Sequence, residues 1–392
     1  MRRVSQRLGR LSGSATLAIN NRAREMAAEG RDVISFGAGE PDFATPTHII
    51  EAAAKAASDA SNHHYTANVG LPPLRAAIAE YTERYSGVEV DDGQILVTNG
   101  AKQAIFQTFA ALLDPGDEVL LPAPHWVTYP SGIELAGGTA VSIPTRAADG
   151  FKVSVEELER HLTPNTKMLV FVSPSNPTGA VYDAGEARAI GEWARENGIW
   201  VMADEIYQRL VYQVDVAPSI AGVTPGLENV ILVNGVAKSF AMTGWRVGWM
   251  IGPSDVVGAA ARHQSHATGN VNNVAQMAAL EAMSGPQDAV EEMRAAFDRR
   301  RKKMVSLLAA APGIDCVEPE GAFYVFPGVE EVLNEDYPTS EDLAEGLLEE
   351  AGIAVVAGAS FGASGFLRLS YALSDEDLER GVSKMITMFG RL

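Results

Sequence analysis

From about residue 95 the chain alternates short apolar runs with longer amphipathic stretches. The runs Ile95–Thr98, Val119–Pro122, Thr139–Ile143, Met168–Val172, Ile199–Ala203, Val230–Val233 and Val247–Ile251 predict strands. Most are separated by segments of helix length, such as Ala101–Leu113 and Ala184–Asn197. Runs this apolar suit strands covered on both faces. Their alternation with helices predicts an α/β fold around a mostly parallel seven-stranded sheet. Ligands of such sheets bind outside the carboxyl ends of the strands, so the residues that follow each run are the first candidates for chemistry.

The pattern changes toward the C-terminus. Ala322–Phe326, Ile353–Val356 and Phe366–Ser370 read as strands, and Ser340–Glu350 and Ser374–Phe389 as helices, predicting a smaller α+β domain. A strongly helical stretch over Ser254–Ala311 links the two parts. Residues before about 45 are assigned to the small domain, giving 46–285 as the large domain and 1–45 with 286–392 as the small one. The pattern by itself does not decide that packing.

Composition narrows the classes. The 392 residues hold 46% apolar and 21% charged side chains, ordinary for a globular protein. No apolar run reaches the roughly 18–20 residues that cross a bilayer. The stretch Met1–Gly13 is basic and polar with no apolar core after it, so no secretory signal is expected. The single cysteine, Cys316, excludes an internal disulfide framework, is too little for a zinc cluster, and fits a cytoplasmic protein. A formal charge of −19 argues against nucleic acid or anionic membrane as partner, though not against anionic substrates in a local cationic pocket. Lysines number eight against 23 arginines, so a lysine inside a patterned motif carries weight.

The most informative such motif is Asn234-Gly-Val-Ala-Lys238-Ser-Phe-Ala-Met-Thr-Gly-Trp-Arg246-Val-Gly248, after a strand. It sets a lysine able to form a Schiff base near an arginine able to clamp a phosphate in planar, bidentate fashion. The plain alternative is a surface loop with two unrelated basic residues. Val201-Met-Ala-Asp204-Glu-Ile-Tyr207 ends another strand. Asp204 suits a partner for the protonated ring nitrogen of pyridoxal phosphate (PLP), and Tyr207 a donor to its phenolate oxygen. A helix-capping Asp with a half-buried Tyr is the competing reading.

Asn99-Gly100-Ala101-Lys102-Gln103 runs from a strand into a helix, where free N–H groups and the helix dipole favour a phosphate; a simple Gly turn competes. Ser173-Pro-Ser-Asn176-Pro177-Thr-Gly179 is a turn that can aim the Asn176 amide into the cleft, with a cis proline possible there. Arg368, between Leu367 and Leu369, is either an exposed strand residue or a receptor for a substrate carboxylate. Trp126 is either structural or a ring that stacks on a cofactor.

In this order and spacing the motifs resemble the fold-type I, class I PLP-dependent aminotransferases, and most closely the bacterial aspartate aminotransferases. The resemblance covers nearly the whole chain, from Ser14-Ala-Thr-Leu-Ala and Gly37-Ala-Gly-Glu-Pro-Asp-Phe43 to Arg368-Leu-Ser-Tyr371. It implies Lys238 as the Schiff-base lysine and proton carrier, Asp204 at the ring nitrogen, and Tyr207 with Asn176 at the phenolate oxygen. It further implies Arg246 with Gly100, Ala101 and Lys102 at the phosphate, Trp126 stacked on the ring, and Tyr65 reaching the phosphate of a neighbouring subunit. Arg368 and Gly39 would receive the substrate α-carboxylate, and Lys102 would serve the distal carboxylate of dicarboxylic substrates. Many relatives place a Ser or Thr phosphate ligand shortly before the lysine; here Gly235, Val236 and Ala237 stand there.

The implied activity is ping-pong transfer of the amino group of aspartate to 2-oxoglutarate in a homodimer with shared sites. A prephenate, aromatic or alanine aminotransferase is the nearest alternative. A lyase of the same fold would differ in its products. A transcriptional regulator would need an added DNA-binding segment, and only about 35 residues precede Gly37. A dehydrogenase would need a G-x-G-x-x-G in the first α/β unit, and none is present.

Overall fold

The computed structural model describes residues 4–391 apart from Arg10, Ser12 and Ser14. Ser14, where the resemblance begins, thus lies outside the described residues, as do the first three residues assigned to the small domain.

Strand β1 is Ile34–Ser35, and the expected seven follow it: β2 (Ile95–Thr98), β3 (Glu118–Ala123), β4 (Thr139–Pro144), β5 (Thr166–Val172), β6 (Trp200–Asp204), β7 (Val230–Gly235) and β8 (Gly248–Ile251). The seven form one sheet in the order β2-β8-β7-β6-β5-β3-β4. All pairings are parallel except those of β8, which runs against both β2 and β7. Side chains alternate between the faces with the period of two that a pleated strand imposes. Leu169, Phe171, Val201, Ala203, Val230 and Leu232 enter one core, whereas Met168, Val170, Met202, Ile231 and Val233 enter the other. The first core is covered by helices Thr47–Ala57, Pro72–Ser86, Ala184–Glu196 and Asn273–Ser284. Ala101–Leu112, Thr128–Ala136 and Ser254–Ala267 cover the second. Burial on both sides is why these strands read as unbroken apolar runs.

The C-terminal part adds β9 (Tyr324–Val325), β10 (Ile353–Ala354), β11 (Val356–Ala357) and β12 (Leu367–Ser370). The expected single strand over Ile353–Val356 divides. β10 pairs in parallel with β1, and β11 joins the antiparallel order β11-β12-β9. The N-terminal segment therefore packs on this part: Ala23 and Met26 share a core with Leu348 and Ala354, and Arg22 and Arg31 both reach Glu349 at 2.8 Å. The strongly helical stretch expected over Ser254–Ala311 consists of three helices, Ser254–Ala267, Asn273–Ser284 and Asp288–Leu308. Asn272 restarts the second by accepting from the Ala275 N–H, and Pro286, which has no N–H, stands between the second and third.

Candidate active site

Register brings Thr98 opposite Gly248, Gly248 opposite Gly235, Val172 opposite Asp204 and Asp204 opposite Val233, so these residues share one edge of the sheet. The loops leaving that edge carry the candidate residues.

Lys238 donates from Nζ to the Gly39 carbonyl, and lies about 6 Å from the rings of Tyr207 and Phe323 (6.0 and 5.8 Å to the centroids). Burial lowers its pKa to about 8; Glu40 and Asp204 oppose the shift, while Arg368 and Arg246 add to it. Such an amine is a usable nucleophile and base near neutrality. Asp204 is buried at the end of β6, where its carboxylate accepts from the Tyr129 hydroxyl at 2.8 Å and from the Ile206 N–H at 3.2 Å. Desolvation raises its pKa to about 6, against those two bonds and the Lys238 charge. The Tyr207 hydroxyl lies 2.9 Å from that of Tyr324, and burial followed by that neighbour holds it well above the ordinary phenol range.

Arg368 is 1% exposed on β12. Its Nη1 donates to Asn176 Oδ1 at 3.0 Å and its Nη2 to the Gly37 carbonyl at 2.9 Å. Its guanidinium faces the rings of Tyr324 and Phe361, and the buried Nε has no partner among the described residues. Asn176 precedes a cis proline, Pro177, and Pro174 is cis as well.

Gly100, with φ of +80°, opens the helix Ala101–Leu112. A Cβ there would stand 2.5 Å from Arg246 Nη2, and one on Gly248 would stand 2.4 Å from the Ala101 nitrogen. Arg246 donates to the Thr243 carbonyl at 2.7 Å, which turns its guanidinium over this helix start. The Lys102 ammonium lies 4.8 Å from the Trp126 ring, and desolvation followed by the Arg246 charge lowers its pKa. Trp126 in turn meets Tyr129 edge to face at 5.5 Å. Gly39, Gly100, Ala101, Lys102, Trp126, Asn176, Asp204, Tyr207, Lys238, Arg246 and Arg368 are thus drawn into linked contacts at this edge. Tyr65 stands apart. It is 97% exposed, beside Ser265–Asn270.

Three contributors escaped the reading of single motifs. Tyr129 follows Trp126 by three residues at a helix start, a spacing that puts both on one side. Tyr324 has no local signal, because its contact with Tyr207 spans 117 residues. Glu40 sits inside a quoted motif, yet only its proximity to Lys238 gives it a task.

The family model for class I and II aminotransferases matches residues 31–385. The chain belongs to this family. An aspartate aminotransferase of Streptomyces avermitilis is 56% identical over 390 residues, covering 98% of this chain and 96% of that protein. An aspartate/prephenate aminotransferase of Cereibacter sphaeroides is 45% identical over 390 residues, with 97% of each chain covered. The crystal structure of the aspartate aminotransferase from Rhizobium meliloti superposes with a TM-score of 0.95 at 39% identity, covering all of both chains.

Aminotransferases of this family use PLP, and the residues here fit it. A half-buried amine of lowered pKa suits its aldehyde, and a buried carboxyl with no cation in hydrogen-bonding contact among the described residues suits its ring nitrogen. The helix start that tolerates no Cβ at Gly100 or Gly248, with Arg246 beside it, suits its phosphate. Among the described residues no helix is long and apolar enough to cross a membrane.

Proposed function

We propose that this aminotransferase moves the amino group of aspartate to 2-oxoglutarate through Lys238, in a cytoplasmic homodimer. The observation that supports it most is the convergence on one half-buried lysine of a buried carboxyl, Asp204, and an anchored guanidinium, Arg368. The relatives named aspartate aminotransferase support the choice of donor.

When bound, PLP supplies a ring that withdraws electrons from the substrate Cα. Asp204 would hold the proton on the ring nitrogen, with its carboxylate fixed by the Tyr129 hydroxyl. Arg246 and the N–H groups at Gly100–Lys102 bind the phosphate. Trp126 would cover the ring and exclude water from one side. Tyr207 and Asn176 hold the phenolate oxygen. Arg368, with the Gly39 backbone, binds the α-carboxylate and so orients the Cα–H bond toward Lys238 Nζ, which removes the proton as general base. Lys102 reaches the distal carboxylate. The first oxo acid leaves before the second enters the same site, so kinetics are ping-pong.

Tyr65 serves the phosphate of the neighbouring subunit, in keeping with its exposure. Residues 46–285 act as the PLP-binding domain, with 1–45 and 286–392 as the smaller one, in keeping with the pairing of β1 to β10.

Borohydride treatment of the yellow holoenzyme, followed by peptide mapping, should place PLP on Lys238, and Lys238→Ala should abolish turnover. A label on another lysine sinks the assignment. A panel of amino acids with 2-oxoglutarate should give the highest kcat/KM for aspartate. Prephenate belongs in the same panel as acceptor, because the Cereibacter sphaeroides relative is named for both activities.

A further inference from the structure

The segment 37–45 runs along the loop that carries Lys238 and is tied to it at several points. The Gly39 carbonyl accepts from Lys238 Nζ. The Thr243 hydroxyl donates to Glu40 Oε2 at 2.8 Å. Thr45 donates to the Ala241 carbonyl at 2.8 Å and accepts from Trp245 Nε1 at 3.0 Å. On its other side the segment is held by Arg300, whose Nη1 donates to Asp42 at 2.8 Å. Backbone and neutral groups make most of the ties to the lysine loop. Glu40 brings a charge.

We propose that Glu40 is a positioning residue for the Lys238 amine: held by Thr243, its carboxylate keeps the Gly39 carbonyl against Nζ and sets a negative charge beside it that offsets Arg246 and Arg368. The proposal rests on the reading of Lys238 as the cofactor-bearing lysine. The groups that face this amine are Glu40 from segment 37–45, Asp204 and Tyr207 from the end of β6, Arg368 from β12, Arg246 from its own loop, and the Phe323 ring. Burial acts most strongly on the amine, and Glu40 is the foremost of the charges that act on it. Without it, of the charges named only Asp204 would balance the two cations that face a nitrogen which must hold a proton at one stage and release it at another. A carboxylate at this place keeps that exchange near neutral pH.

The sign follows directly. Removing a negative charge makes the protonated nitrogen less favourable, so its titration midpoint falls. Because Glu40 is exposed, screening limits the shift to roughly 0.2–0.7 pH unit.

The test is a spectrophotometric pH titration of the visible band of the lysine-bound cofactor in the holoenzyme, after borohydride mapping of the wild-type protein. Glu40→Gln and Glu40→Ala should both lower the midpoint, and the acidic limb of the kcat/KM profile should move with it. Glu40→Asp, which keeps the charge, should recover part of the shift. A midpoint unmoved in whichever of the Gln and Ala variants accumulates as holoenzyme overturns the proposal, because a purely packing role would alter stability alone. A label that maps away from Lys238 overturns the reading beneath it; a label on Lys238 with an unmoved midpoint overturns only the role of Glu40.

Discussion

Asp204 gives up its water shell at the end of β6 and receives in exchange a phenol and one N–H. That leaves the carboxylate short of a cation, which a protonated ring nitrogen would supply. Asp204→Ala should therefore still form the yellow lysine-bound cofactor but lose most of kcat through slow Cα proton removal; near-normal kcat would show that another carboxyl does this work. Its neighbour Glu205 is also buried, with Ser86 3.5 Å away and Oε1 unpartnered among the described residues. Desolvation raises its pKa to about 7, above the ordinary 4.5. The folded chain thus binds more protons than the unfolded one across that window, so this group costs stability as pH rises from about 4.5 to 7. Glu205→Gln should remove that slope and gain up to about 3 kcal/mol relative to wild type at pH 8, with little change at pH 4.5, as read from denaturant melts. Lys102 separates two roles by substrate. A charged contact to a distal carboxylate is worth about 1.5–3 kcal/mol, so Lys102→Ala should lower kcat/KM for aspartate by roughly one to two orders of magnitude and alanine much less. Equal losses would assign Lys102 to the phosphate alone.

At the scale of elements the site depends on where strands stop. A Cβ on Gly248, at the start of β8, would press on Ala101 and Gly100. Overpacking of this kind costs about 1–3 kcal/mol, and the yielding side would be the helix start at the phosphate. Gly248→Ala should release PLP more readily on ultrafiltration and melt earlier than wild type; unchanged retention would mean that this cradle does not bind phosphate. The central strands were legible because two-sided burial leaves long apolar runs such as Met168–Val172. Lys238 and Asp204 were legible as candidates because each follows such a run within a few residues, and Arg246 because it immediately precedes another. The division of 353–356 between two sheets was not, since it depends on β1, more than 300 residues earlier, pairing with Ile353. Tyr324 was missed for a related reason: a hydrogen bond spanning 117 residues leaves no trace in local spacing, whereas Tyr129 had a local cue in its spacing from Trp126 but not its bond to Asp204, 75 residues on.

For the whole molecule, Tyr65 is the residue that points outward. If it completes a neighbour's site, the active species is a dimer. Sedimentation should find it so, and Tyr65→Phe should weaken PLP retention; a fully active monomer would contradict both. The reversed strand β8 has another outcome. Because it turns back beside β7, Lys238 and Arg246 lie in one short connection, and their spacing is set by a local stretch of chain. The Arg368–Asn176 bond joins segments 192 residues apart, and Arg368 leans also on Gly37. The half held by long-range contacts is expected to open at lower denaturant than the half set by a local stretch. Under mild urea the enzyme should become indifferent to the α-carboxylate, its KM rising for every amino acid, while still holding its colour.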